Sequence, residues 1–273
     1  MFASHLGFVS GAPSVGIPCS LRSGTWGGNM LAAMWFPPKK RPGFTLLELI
    51  VVIAIVVILT VLTLPSLTSL KGAGDMTRAA SQISGALDLA RTYAAANNTY
   101  TWVGFYEENA NAPAPTDTRP PYTGKGRVIV AMVASKDGSQ LDSASNGAAT
   151  LTASVLTPVQ KFTKLENVHV TYLGAPGGGS SDGIDGRPAA SALVNSESAD
   201  ATDFPITLNG YTFYKTIRFS PRGEAVLNGA ATIASLIEIG LEPTRGNVVD
   251  SKNKNVVAIQ VSGIVGNVRI YRR

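Results

Sequence analysis

The chain has 273 residues, 45% hydrophobic and only 15% charged, with a formal net charge of +5, one cysteine and two histidines. This length allows one large domain or two small ones, and a single cysteine excludes an internal disulfide or a thiolate metal cluster. The positive charge suggests nucleic acid only until it is located: residues 1–43 hold Arg22, Lys39, Lys40 and Arg41 and no acid. Setting those four aside leaves 19 of the 23 basic residues against 18 acidic ones, a net of +1.

Residues 1–38 are rich in Gly, Ser and Pro with no helical or strand period, and they read as disordered. Cys19 and His5 lie in this part, so the remainder has no cysteine and one histidine, His169. A lone histidine is ordinarily a surface or packed imidazole.

Lys39, Lys40 and Arg41 then lead through Pro42 and Gly43 into FTLLELIVVIAIVVILTVLTL, residues 44–64. About twenty such apolar residues cross a bilayer, and the positive flank belongs on the cytoplasmic side. Glu48 is the only ionisable group inside the run. A charged group in hydrocarbon costs about 3 kcal/mol even on lenient insertion scales, so Glu48 calls for a partner. A plain signal anchor has no use for this acid, and a cleaved secretory signal would end sooner at small residues.

Past Leu64 the helix is expected to continue through Pro65, which removes a hydrogen bond and favours a kink. Met76, Ala80, Ile83, Leu87, Ala90 and Ala94 recur at alternating four- and three-residue steps, with Asp75, Arg78, Gln82, Asp88 and Arg91 between them. That is one apolar stripe on an amphipathic helix over 65–98. Counted from Phe44, such a helix would be about 80 Å long at 1.5 Å per residue.

Strands are predicted at Tyr100–Tyr106, Arg127–Val133, Val159–Phe162, Val168–Leu173, Tyr211–Phe219, Ala231–Leu241, Val256–Val261 and Val268–Tyr271. Glu107–Lys125, with four prolines, reads as a loop, Asp137–Ala149 as a Gly/Ser/Asp stretch, and 174–203 as a flexible low-complexity insertion. Helix first and strands afterwards predict an α+β chain: a long N-terminal α-helix, membrane-spanning in its first half, packed on an antiparallel β-sheet head over 99–273.

Gly43 followed by FTLLELIVVIAIVVIL resembles the N-terminal signature of type IV prepilins and type II secretion pseudopilins. The resemblance implies that residues 1–43 are a leader, removed by prepilin peptidase between Gly43 and Phe44. It further implies methylation of the new N-terminus at Phe44, pairing of Glu48 with the N-terminal amine of a neighbouring subunit, and a helix-bending role for Pro65. It implies a single-pass inner-membrane protein with a cytoplasmic N-terminus and a periplasmic head, assembled into a periplasmic or surface filament through its N-terminal helix. A leader of 43 residues is long for such proteins, so translation is expected to begin at Met34 or Met30.

Ile217–Ala225, IRFSPRGEA, and the ending QVSGIVGNVRIYRR look like the corresponding strands of GspH/FimT-type minor pseudopilins, and the layout is also similar to the pilin-like Verru_Chthon cassette proteins. Physically, Pro221 and Gly223 suit a tight turn, and Gly266 with Asn267 a positive φ before the last strand. The reading is a structural, non-enzymatic subunit, with two alternatives. A FimT-like minor pilin would bind DNA through Arg269, Arg272 and Arg273, although Asn267 stands where the first arginine of that family's ending is expected. A signal-anchored periplasmic hydrolase would use Ser and Asp with His169. Asp182 and Asp185, in SSDGIDG, form a possible calcium loop without EF-hand spacing, and no other cofactor is indicated.

Overall fold

The computed structural model describes residues 43–115, 119–141, 154–174, 184, 186–199, 205–227, 230 and 232–273, and for residues 64–73 only the helical backbone. The chain divides into two compact units, Met1–Val52 and Ile53–Arg273. One helix, α1, Leu46–Ala96, starts in the first and ends in the second. Its backbone stays helical through Pro65, whose expected bend lies outside the described side chains, and through Gly72 and Gly74.

Within the second unit the predicted apolar stripe is the centre of the core. Met76, Ala80, Ile83, Leu87, Ala90 and Ala94 are all 0% exposed, and Ala79 and Ala86 widen the stripe. Each large apolar side chain buried this way contributes roughly 1.5–3 kcal/mol. The helix ends where the backbone turns left-handed at Asn98, φ 48°. Thr99 N–H then reaches back to Ala94 O at 3.1 Å, satisfying a carbonyl that the helix would leave unpaired.

Fourteen strands follow among the described residues: β1 Thr101–Asn109, β2 Gly126–Ser135, β3 Leu156–Pro158, β4 Thr163–Glu166, β5 Val168–Thr171, β6 Ala192–Val194 and β7 Ile206–Leu208. The rest are β8 Tyr211–Phe213, β9 Lys215–Phe219, β10 Ala225–Leu227, β11 Leu236–Arg245, β12 Val248–Val249, β13 Val257–Ser262 and β14 Val268–Arg272. One sheet runs β10-β9-β1-β2-β3, with β4 also on β2; a second runs β12-β11-β13-β14, with β5 and β6 also on β11; β7 and β8 form a hairpin. Every pairing is antiparallel except β6 on β11.

Alternation along β1 and β2 explains why both strands are almost wholly buried. Val103, Phe105, Val128, Val130 and Met132 join the helix stripe, and so do Val170, Ile237, Ile239, Val257 and Ile259 of the second sheet. Trp102, Tyr106, Ile129, Ala131 and Val133 point the other way, onto Ile206, Leu208, Tyr211 and Phe213 of the hairpin. Gly104 makes this third layer possible, because a Cβ there would stand 2.9 Å from Phe213 Cβ.

Several predicted boundaries are corrected. Glu107 and Glu108, read as the start of a loop, are buried in β1. The strand predicted at Val159–Phe162 falls in the gap between β3 and β4, which take different partners along β2. Tyr211–Phe219 is two strands broken at Tyr214, and Ala231–Leu241 is displaced to Leu236–Arg245. Of the stretch 174–203, residues 175–183, 185 and 200–203 lie outside the described residues. The described part is built into the head: β6 lies on β11, and buried Arg187 pairs with buried Glu238 and donates to Gly174 O at 2.8 Å. These contacts bind chain to chain rather than to solvent, which composition does not report.

Candidate functional site

The segment that sequence reasoning singles out begins at Gly43, whose Cα has no heavy atom within 4 Å of where a Cβ would stand. Phe44 is 78% exposed, so the Gly43–Phe44 junction is uncovered by the described residues. Thr45 precedes the first helical residue, and its Oγ1 accepts the Glu48 N–H at 3.2 Å while its carbonyl accepts the Leu49 N–H at 3.2 Å. Thr45 is therefore the helix N-cap and Glu48 occupies the third helical position, the Thr-x-x-Glu spacing of a capping box. An acid there also faces the positive end of the helix dipole, worth about 0.3–1 kcal/mol. This intrachain role was legible as a spacing but was overlooked beside the question of Glu48's partner.

From Leu46 to Thr63 the helix is apolar and wholly exposed, long enough to cross a membrane. The hydroxyls inside it are satisfied by the helix itself: Thr60 Oγ1 donates to Val56 O at 3.0 Å and to Val57 O at 2.8 Å, and Thr63 Oγ1 to Thr60 O at 3.1 Å. A backbone acceptor of this kind lets threonine sit in hydrocarbon. Glu48 differs, because its carboxylate has no hydrogen-bond or ion-pair partner among the described residues.

The other predicted site residues are not drawn together. Arg269 lies on the outer face of the second sheet beside Tyr271, whereas Arg272 donates to Thr77 Oγ1 of α1 at 2.9 Å. Strand alternation thus sends the two arginines to opposite faces of β14, and Arg273 follows at the exposed end. Asp182 and Asp185 lie outside the described residues, as do the basic flank and the whole of residues 1–42. Among the described residues no three His, Cys, Asp or Glu side chains could hold a metal. Gly223 and Gly266 do take positive φ, 87° and 69°, in the turns where flexibility is required.

A polar cluster missed from sequence sits inside the head. Glu107 of β1 accepts His169 Nδ1–H at 2.8 Å and 3.0 Å, the Ser196 hydroxyl, Gly126 N–H at 3.3 Å and Val170 N–H at 3.4 Å. His169 Nε2 lies 3.4 Å from Glu197 Oε1, and the bond from Lys125 to Glu197 holds that carboxyl below the usual range. Glu242, cross-strand from His169, is pushed up by burial. Ser196 gives its proton to Glu107 and not to His169, and it is buried. The cluster joins β1 of the first sheet to β5 of the second and has the character of a structural tie.

Against known proteins, residues 38–64 match the family model described as the prokaryotic N-terminal methylation motif. No curated protein and no solved structure matches the chain.

Proposed function

We propose, from the premise that residues 38–64 carry the N-terminal methylation motif of the type IV pilin and pseudopilin family, that this chain is a non-enzymatic filament subunit of the minor pseudopilin kind. Prepilin peptidase removes residues 1–43, Phe44 becomes the methylated first residue, and the exposed apolar helix holds the protein in the inner membrane with the head in the periplasm. The observation that carries the reading is Glu48: one acid, without a partner among the described residues, in an exposed apolar helix and four positions beyond Phe44. In hydrocarbon each of two opposite charges relieves the other's desolvation, so Glu48 of one subunit and the Phe44 amine of the next assemble the filament.

The anchored-hydrolase alternative requires a hydroxyl nucleophile on His169, whose ring nitrogens face Glu107 and Glu197 instead. The geometry of the arginines on β14 likewise offers less to a DNA backbone than their closeness in sequence suggests. The test is incorporation into sheared filaments beside mass spectrometry of the mature N-terminus. Glu48→Ala is expected to insert, to be cut and to be methylated, but to fail to enter filaments; normal incorporation would refute the assembly role.

A further inference from the structure

β14 is the last strand of the second sheet, and one of its edges is unpaired among the described residues. Ser262 N–H donates to Asn267 O at 3.0 Å, and the β13–β14 register runs on from that pair through Gln260↔Arg269 and Ala258↔Tyr271. In an antiparallel ladder hydrogen-bonded pairs alternate, so Val268, Ile270 and Arg272 turn their N–H and C=O groups outward. No other strand pairs with β14 among the described residues. On the outer face of the same strands lies a groove of about 240 Å³, whose lining includes Pro188, Gln260, Ser262, Asn267, Arg269 and Tyr271.

The charges of this face are unbalanced. The row across the strands is Glu238, Gln260 and Arg269. Glu238 is committed to Arg187 and, at 2.7 Å, to Gln260 Nε2, while the second bond from Gln260 Nε2 goes to Pro188 O at 2.7 Å. Arg269 is left with no acid among the described residues, and Arg272 and Arg273 add two more cations along the edge.

We infer that β14 accepts an extended acidic segment of a partner protein, which adds as a further strand and sets a carboxylate on Arg269. A peptide backbone matches an edge that offers donors and acceptors alternately; a phosphodiester would meet the carbonyls of Val268, Ile270 and Arg272 as repulsive. Within β14 Arg269 is the one cation on the groove face, because Arg272 turns to Thr77. Arg273 has the same parity as Arg269 but lies just past the end of the strand, so β14 itself offers that face one carboxylate site rather than a row of phosphate sites. Side chains two residues apart on the added strand would share that face with Arg269 and Tyr271, at the spacing of cross-strand pairs. The inference concerns the head and does not depend on entry into a filament.

The test uses the full chain in detergent micelles and a short fluorescein-labelled peptide of alternating Glu and Val, followed by anisotropy. Binding is expected, weakened about tenfold when Gln replaces Glu in the peptide or when Arg269→Ala removes the cation. Ile270→Pro removes an outward N–H while leaving the β13 ladder intact, and it is expected to abolish binding. Should that variant misfold, amide exchange at Ile270 in the unaltered chain is expected to slow on peptide addition. Equal affinity for the Glu and Gln peptides, binding unchanged by Arg269→Ala, unslowed exchange at Ile270, or capture of a single-stranded oligonucleotide in place of the peptide would each overturn the inference. A bare absence of peptide binding would do so too, making the arginines guards that keep the edge unpaired.

Discussion

Replacing Glu107 by alanine should bring the head close to unfolding. The side chain is 2% exposed, and its carboxylate ties residues from β2, β5 and the turn at Ser196 to β1. Ser196 Oγ also lies 2.6 Å from Val170 O, so the hydroxyl can turn its one proton to that carbonyl when Glu107 is lost. His169 Nδ1–H keeps no partner, and an orphaned buried donor costs about 1–3 kcal/mol. The bonds lost by Gly126 N–H and Val170 N–H, with the space the side chain leaves, raise the total to about 3–5 kcal/mol. That is a large share of the roughly 5–15 kcal/mol by which a domain is stable. The assay is urea unfolding of the full chain in micelles, in a Trp26→Phe, Trp35→Phe background where buried Trp102 of β1 is the sole tryptophan. With a slope of about 2 kcal/mol per molar, the midpoint should fall by about 2 M, and by about half as much for Glu107→Gln, which keeps an oxygen for His169. A midpoint for Glu107→Ala within about 0.3 M of the parent would refute the tie.

Gly266→Ala should also destabilise, by about 1–3 kcal/mol, since Gly266 has φ 69° and an added Cβ would overlap Gly223 O; thermal unfolding should show Tm lowered by about 6 °C, while Ile264→Ala, at an exposed site in the same turn, should leave it nearly unchanged. Asp137 accepts bonds from Ser139 Oγ at 2.7 Å, Ser139 N–H at 3.0 Å and Ser135 Oγ at 2.8 Å, which together hold its carboxyl down at about 2. Folding lowers this group from 3.8, so its contribution to stability is complete above that value and is lost as pH falls toward 2. Carboxyl-detected NMR should find the low midpoint, and Asp137→Asn should flatten acid destabilisation over that window.

Local pattern carried much of what was legible. The stripe from Met76 to Ala94 could be read because helix geometry puts residues three and four apart on one face, and the same geometry buries them. The turns at Gly223 and Gly266 were legible because few residues other than glycine sit comfortably at positive φ. Glu107 and Glu108 were misread because a carboxylate signals solvent unless its partners are known. The partners of Glu107 lie 62 and 89 residues away, at His169 and Ser196. β6 was missed for a related reason: Ala192–Val194 is too short to signal itself and exists as a strand because β11 is there to pair with it.

The sequence by itself determined the N-terminal segment, because the pattern of Gly43, Phe44, Thr45 and Glu48 lies in consecutive chain, and the Thr45–Glu48 cap is local, so no distant residue is needed to recognise it. Only the tertiary structure decided what the head presents. Arg269 and Arg272 are three residues apart, yet β14 turns them to opposite faces, one to the groove and one to Thr77 of α1. Which face is covered, and by what, depends on contacts between segments far apart in the chain, and these have no counterpart in any local pattern.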